Sequence, residues 1–218
     1  ALGALASAAR AEEAPPSPFK PERWEGAMAA FDAAAQEKTP PADATLFVGS
    51  SSIRLWDLEK WFPERPVINR GFGGSEICDS VHYFDQLVAR YRPQAVVFYA
   101  GDNDIAGGKT AAQVHRDFLE FAAKLEESLP GTRLLYIAIK PSLARWNLAE
   151  EMEEANHRIA QTCEETEQTQ SGDVWHPMLG DAGTPRPELF VDDGLHLNDQ
   201  GYKLWTRLVK EALARDNN

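Results

Sequence analysis

The sequence predicts an α/β protein, a three-layer α/β/α sandwich around a central, mostly parallel five-stranded sheet. Two observations carry this reading. Short apolar runs rich in β-branched and aromatic residues recur along the chain, and longer segments with apolar residues at helical spacing lie between them. Strand alternating with helix is the pattern of βαβ units, whose crossovers make neighbouring strands parallel. A length of 218 residues suits one such domain, large enough to bury a core without disulfide or metal staples.

Residues 1–22 read as an N-terminal arm and 23–218 as the domain. The Ala-rich stretch 1–12 resembles the end of a secretory signal, with Ala9 and Ala11 at the small-residue positions before a cut, and it reads equally as an N-terminal helix of the mature chain. An exported location, periplasmic or secreted, and a cytoplasmic one therefore both stay open. Pro15, Pro16, Pro18 and Pro21 block helix and ladder alike, so 13–22 is expected to be extended. From 23 to 38 the period turns helical, with Trp24, Met28, Phe31 and Ala35 three or four apart.

The runs 45–48 (Thr-Leu-Phe-Val), 66–69 (Pro-Val-Ile-Asn), 95–100 (Ala-Val-Val-Phe-Tyr-Ala) and 134–139 (Leu-Leu-Tyr-Ile-Ala-Ile) predict four strands. Segments 77–90, 111–128 and 148–168 predict the intervening helices. The run 173–177 (Asp-Val-Trp-His-Pro) predicts the fifth strand, closed by Pro177, and 200–215 a final helix.

Composition removes several classes of function. A net charge of −12 argues against nucleic-acid or anionic-membrane partners, which need concentrated Lys and Arg. A neutral or cationic small molecule fits better. No stretch approaches the roughly 18 apolar residues of a membrane span. Cys78 and Cys163 have neither Zn-ligand spacing nor the density of a disulfide scaffold, and read as free packing residues, with a single bridge the alternative. Asp102, Asp104, Asp192 and Asp193 do not form a regularly spaced ligand loop, so neither a metal nor another cofactor is expected.

In a doubly wound sheet the loops after the carboxyl ends of the strands gather along one edge, where ligands bind. Three such loops carry unusual residues: Gly49-Ser-Ser-Ser-Ile53, Arg70-Gly-Phe-Gly-Gly-Ser75 and Gly101-Asp-Asn-Asp104. A fourth segment, Asp193-Gly-Leu-His196, offers a carboxylate that can accept from one ring nitrogen and leave the other free to take a serine proton. Alone it also reads as the approach to a helix capped by Asn198 or Asp199. Ser50, Ser51 and Ser52 compete for the place of an exposed nucleophile at a strand-to-helix junction, and one of Gly71, Gly73 and Gly74 could lend a backbone N–H. Asn103 offers a side-chain amide as a further donor. Together these are the parts that acyl transfer requires.

The order of the blocks, Ser loop, Gly loop, Gly-x-Asn-Asp and Asp-x-x-His, resembles that of the SGNH or GDSL-type hydrolases over roughly residues 45–202. The resemblance implies a flavodoxin-like sheet and a cofactor-independent serine ester hydrolase. It implies Ser51, His196 and Asp193 as catalytic triad and Ser51, Gly74 and Asn103 as oxyanion hole. One departure is visible: Gly49-Ser50-Ser51 stands where the family has Gly-Asp-Ser, so the hydrogen bonds that position the nucleophile loop must differ. No Gly-x-Ser-x-Gly occurs, which argues against an α/β-hydrolase elbow.

Lys140, Arg145 and Trp146 follow the fourth strand and are expected at the pocket rim, in contact with substrate. Trp56, Phe72 and Tyr99 read as core or as site aromatics. The expected substrate is a small-molecule ester with a short acyl group, acetyl on a carbohydrate in particular. The alternatives are a lysophospholipase or thioesterase acting on lipid acyl groups, an inactive glycan- or lipid-binding module, and a phosphate or nucleotide binder using the glycine loop.

Overall fold

The computed structural model describes residues 19–37, 41 and 43–214. Most of the expected N-terminal arm and its signal-like stretch lie outside the described residues. A short 3-10 turn, Pro21–Trp24, leads into α1 (Glu25–Glu37). There follow β1 (Thr45–Gly49), α2 (Ser51–Arg54), α3 (Leu58–Trp61), β2 (Val67–Gly71), α4 (Ile77–His82), α5 (Phe84–Leu87) and β3 (Ala95–Tyr99). The second half contains α6 (Asp102–Ala106), α7 (Ala111–Ser128), β4 (Arg133–Ile137), α8 (Ala149–Glu164), β5 (Thr169–Gly172) and α9 (Asp199–Ala214).

The strands form one sheet in the order β2-β1-β3-β4-β5, with every pairing parallel. β1 and β3 are buried along their whole length, as strands covered by helices on both faces must be, which is why they read as continuous apolar runs. Alternate side chains feed two cores. Leu46, Val48, Val96 and Phe98 join one, under α1, α4, α5, α7 and α8, while Phe47, Val97 and Tyr99 join the other, under α2, α3 and α9. Trp56, Phe72 and Tyr99 are all core residues.

α7 buries Ala111, Val114, Phe118, Phe121 and Leu125 at spacings of three and four, and starts at a capping box between Thr110 and Gln113. α9 buries Tyr202, Trp205, Val209 and Leu213 in the same way.

Two expectations need correction. The fifth strand is Thr169–Gly172, immediately before the stretch expected to form it. That stretch instead turns: the Asp173 carboxylate accepts from the His176 backbone N–H at 3.2 Å, and the chain enters a 3-10 turn at His176–Met178. Val174 and Trp175 bury into opposite cores, so burial alternates without a strand. The expected helix 77–90 is also broken. Its axis ends at Tyr83, whose hydroxyl donates to the Pro21 carbonyl at 2.9 Å. Cys78 and Cys163 are both free.

Candidate active site

The site lies at the carboxyl edge of the sheet, where the turns after β1, β2 and β3 are fastened to one another. β1 ends at Gly49, with φ +135°, where a Cβ would stand 1.8 Å from the Tyr99 carbonyl oxygen, so no side chain fits. The Ser50 N–H donates to that same carbonyl at 3.0 Å, and the Gly49 carbonyl accepts from Phe72 N–H at 2.8 Å. The turn places the three serines differently. Ser50 and Ser52 are buried and their hydroxyls make no hydrogen bond among the described residues, whereas Ser51 opens α2 half-exposed. As a first-turn residue it has a backbone N–H with no partner within the helix.

Ser51 Oγ lies 3.0 Å from His196 Nε2, and His196 Nδ1 lies 2.6 Å from Asp193 Oδ2. An ionised carboxylate only accepts, so Nδ1 carries the proton and Nε2 is left to accept from the serine hydroxyl. The other Asp193 oxygen accepts from the backbone N–H groups of Leu195 and His196, both at 2.8 Å. The His196 ring hydrogen bond, with these backbone bonds, pulls the Asp193 carboxyl down to about 2. The whole arrangement sits on a tight loop closed by the isolated Phe190–Leu197 bridge. Gly194, at φ +64°, turns that loop, and its carbonyl accepts from Ala144 N–H at 3.1 Å. Asn198 caps α9, accepting from Gln200 and Gly201 N–H, so a helix start and the Asp193–His196 hydrogen bond coexist in one segment.

The remaining expected donors lie across the edge. Gly74 is exposed at φ +83°, with the Trp24 indole beside it: a Cβ on Gly74 would stand 3.5 Å from the Trp24 ring. Asn103, in the first turn of α6, donates through Nδ2 to the Ser75 carbonyl at 3.0 Å, next to Gly74, and accepts at Oδ1 from Arg145 at 2.9 Å. A further clamp joins the same two loops, because Asp104 takes the Ile77 N–H on both carboxylate oxygens at 3.1 and 3.2 Å. Burial pushes the Asp104 carboxyl up to about 7 against the pull of Lys109, whose ammonium lies 2.9 Å from Asp104, 2.7 Å from Asp117 and 3.0 Å from Glu76. Burial works against the Lys109 charge as well, but Asp104 and Asp117 outweigh it and raise its pKa.

The three residues expected at the rim behave differently. Lys140 is only 1% exposed and lies under the site, its ammonium 3.1 Å from both Asp102 Oδ2 and the Tyr99 hydroxyl, so it does not line a rim. A desolvated ammonium needs such partners. Arg145 is half-buried and turned towards Asp102 and Asn103, and Trp146 stacks on Trp175 with ring centroids 6.0 Å apart. Trp24 is a neighbour of the site that spacing along the chain did not reveal, since it meets Gly74 through tertiary contact, whereas Ser75 and Asp102 stand next to Gly74 and Asn103 in the chain. Among the described residues no group of three or more His, Cys, Asp or Glu side chains is arranged to hold a metal ion, and no helix is long and apolar enough to cross a membrane.

A parallel sheet in the order 2-1-3-4-5, sandwiched between helices, with a serine, a histidine and an aspartate hydrogen-bonded in series at its carboxyl edge, defines a hydrolase of the SGNH class. The chain belongs to the GDSL-like lipase/acylhydrolase family, which matches residues 54–204. That span holds Gly74, Asn103, Asp193 and His196 and begins just after Ser51.

Among solved structures, the chain is similar to a Streptococcus pneumonia protein named for platelet activating factor, with 18% identity and a TM-score of 0.79 over 88% of this chain and 93% of that one. It is also similar to a GDSL-like lipase from Bacteroides thetaiotaomicron, with 20% identity and a TM-score of 0.72 over 88% and 96%. A catalytic mutant of an acetylxylan esterase from Geobacillus stearothermophilus aligns at 15% identity and a TM-score of 0.64 over 81% and 97%. No curated protein matches the sequence.

Proposed function

We propose that this GDSL-family hydrolase is a serine carboxylic ester hydrolase working through an acyl-enzyme. The observation that carries the reading is the 3.0 Å contact between Ser51 Oγ and His196 Nε2, with His196 held in the correct tautomer by Asp193. Ser51 Oγ attacks the ester carbonyl as its proton passes to Nε2. The carbonyl becomes a tetrahedral oxyanion facing the Ser51 and Gly74 backbone N–H groups and the Asn103 amide. Collapse breaks the bond to the alcohol, which leaves with the proton from His196. Water then repeats the sequence on the acyl-enzyme, releasing the carboxylic acid and restoring Ser51.

Short acyl esters, acetylated carbohydrates first among them, are the substrate class that the likeness to an acetylxylan esterase favours. A second reading, a lipid ester, has its own support. Leu55 and Val191 are exposed beside the dyad, in an open groove of about 590 Å³ that also includes Trp61, His196 and Tyr202.

A fluorophosphonate probe should label Ser51, and Ser51→Ala should abolish turnover of p-nitrophenyl acetate while the melting temperature holds. Labelling at another serine, or turnover that survives the substitution, would sink the reading. A p-nitrophenyl ester series of increasing chain length, run beside acetylated xylooligosaccharides, separates the two substrate classes.

A further inference from the structure

Beneath the expected oxyanion donors lies a connected set of charges. Lys140 Nζ and Arg145 Nη1 both meet Asp102 Oδ2 at 3.1 Å, and Arg145 Nη2 donates to Asn103 Oδ1 at 2.9 Å. Burial would raise the Asp102 pKa, but the two cations outweigh it and hold the carboxyl below its ordinary value. Two cations against one carboxylate leave an excess positive charge in a largely dehydrated place, directly behind the Asn103 amide.

We propose that Arg145 is a positioning residue, which orients and polarises the Asn103 amide for the oxyanion and does not itself touch substrate. The inference rests on the ester-hydrolase reading above and goes beyond it. Orientation follows from donor chemistry. A guanidinium only donates and the Ser75 carbonyl only accepts, so Arg145 on Oδ1 and Ser75 on Nδ2 forbid the flipped amide, which would turn an oxygen towards the oxyanion. One Nδ2 hydrogen is used by Ser75, and the second remains for the reaction. Polarisation follows from charge. A cation on the amide oxygen draws density from nitrogen and makes the remaining N–H a stronger donor, and bonds linked in this way reinforce one another. The negative charge that benefits exists only in the tetrahedral state, so the gain belongs to kcat.

The test is a double-mutant cycle on p-nitrophenyl acetate with Arg145→Gln, Asn103→Ala and the pair, with melting temperatures measured alongside. Arg145→Gln should lower kcat about tenfold, less than the loss of a direct donor, with KM within about twofold. In the Asn103→Ala background the same change should cost less than about twofold, because the group it acts through is gone. Arg145→Lys, which keeps the charge but not the two-pronged reach, should fall between wild type and Arg145→Gln, and it supplies the comparison if the glutamine variant does not fold. A raised KM with unchanged kcat, or losses that multiply in the double variant, would overturn the proposal. A wild type that turns over no ester overturns both this proposal and the reading beneath it. An active wild type, silenced by Ser51→Ala but showing independent Arg145 and Asn103 losses, overturns this one alone.

Discussion

The Tyr202 hydroxyl, in the first turn of α9, donates to the carbonyl of Ser52 at 3.0 Å, in a fully buried contact. It fastens the helix that follows the dyad loop to the turn that carries Ser51. Tyr202→Phe leaves that carbonyl without its partner, and is expected to cost about 1 kcal/mol. The melting temperature should drop by a few degrees, about what 1 kcal/mol gives in a protein of this size. The kinetic effect should appear in kcat with KM held, because it is the Ser51–His196 alignment that loosens. An unchanged kcat would show that α2 and the dyad loop keep their alignment without this bond.

Asp193→Asn should lower kcat by about 10³ to 10⁴, since an amide no longer dictates which ring nitrogen carries the proton. The pH profile adds a second check. Asp193 is held at about 2, below its ordinary 3.8, so it stays ionised across the working range. Its contribution to stability is present above 3.8 and lost as pH falls through about 2. No inflection from Asp193 is therefore expected in the acid limb of kcat/KM above about pH 3. A resolved second acid inflection there would contradict it.

Asn103→Ala removes one of three expected oxyanion donors and should cost about 10² to 10³ in kcat, with the fluorophosphonate still reaching Ser51 more slowly. Single-turnover kinetics place the loss: it should fall on acylation and deacylation alike, since both pass through an oxyanion. A loss confined to KM would instead make Asn103 a substrate contact.

Asp104 yields an expectation about stability and pH. Burial raises its pKa from 3.8 to about 7 with Lys109, Asp117 and Glu76 around the same knot. A raised folded-state pKa means the stabilisation is complete below 3.8 and is lost as pH rises through about 7. Wild-type melting temperature should therefore decline across that window relative to Asp104→Asn, whose amide stays neutral throughout. Parallel melting curves for the two proteins at every pH would refute it.

Asp173 and His176 supply an internal control. They repeat the dyad spacing and its contacts, with the Asp173 carboxylate 2.9 Å from His176 Nδ1 and 3.2 Å from its backbone nitrogen. His176→Ala should leave turnover unchanged, and Asp173→Ala should cost about 1 kcal/mol as a lost turn cap. Reduced kcat in His176→Ala, with folding intact, would mean that this pair too takes part in the chemistry.

The two Asp-x-x-His turns also show what the sequence made legible and why. β1, β3 and β4 announced themselves because strands buried on both faces must be apolar, and α7 because its buried face recurs every three or four residues. β5 stayed hidden for the opposite reason: an edge strand of Thr-Gln-Ser-Gly, half-exposed, carries no apolar signal. Spacing alone does not separate Asp193–His196 from Asp173–His176. The order of the earlier loops does, because among the described residues it brings a serine to only one of them. The place of Lys140 after β4 predicts a rim residue, but a strand's end does not say whether the next side chain turns up towards solvent or back under the sheet. Asp102, which draws Lys140 under, lies 38 residues earlier.

The bond from His196 to Asp193 spans 3 residues, and the bond from His196 to Ser51 spans 145. Closing a tight turn costs the chain little entropy, whereas bringing residue 51 to residue 196 must await the assembly of the sheet between them. The imidazole can therefore find its carboxylate early in folding, while its contact with Ser51 forms only with the tertiary fold. On the reading proposed above, the onset of covalent labelling at Ser51 then becomes a clock for the completion of the native state.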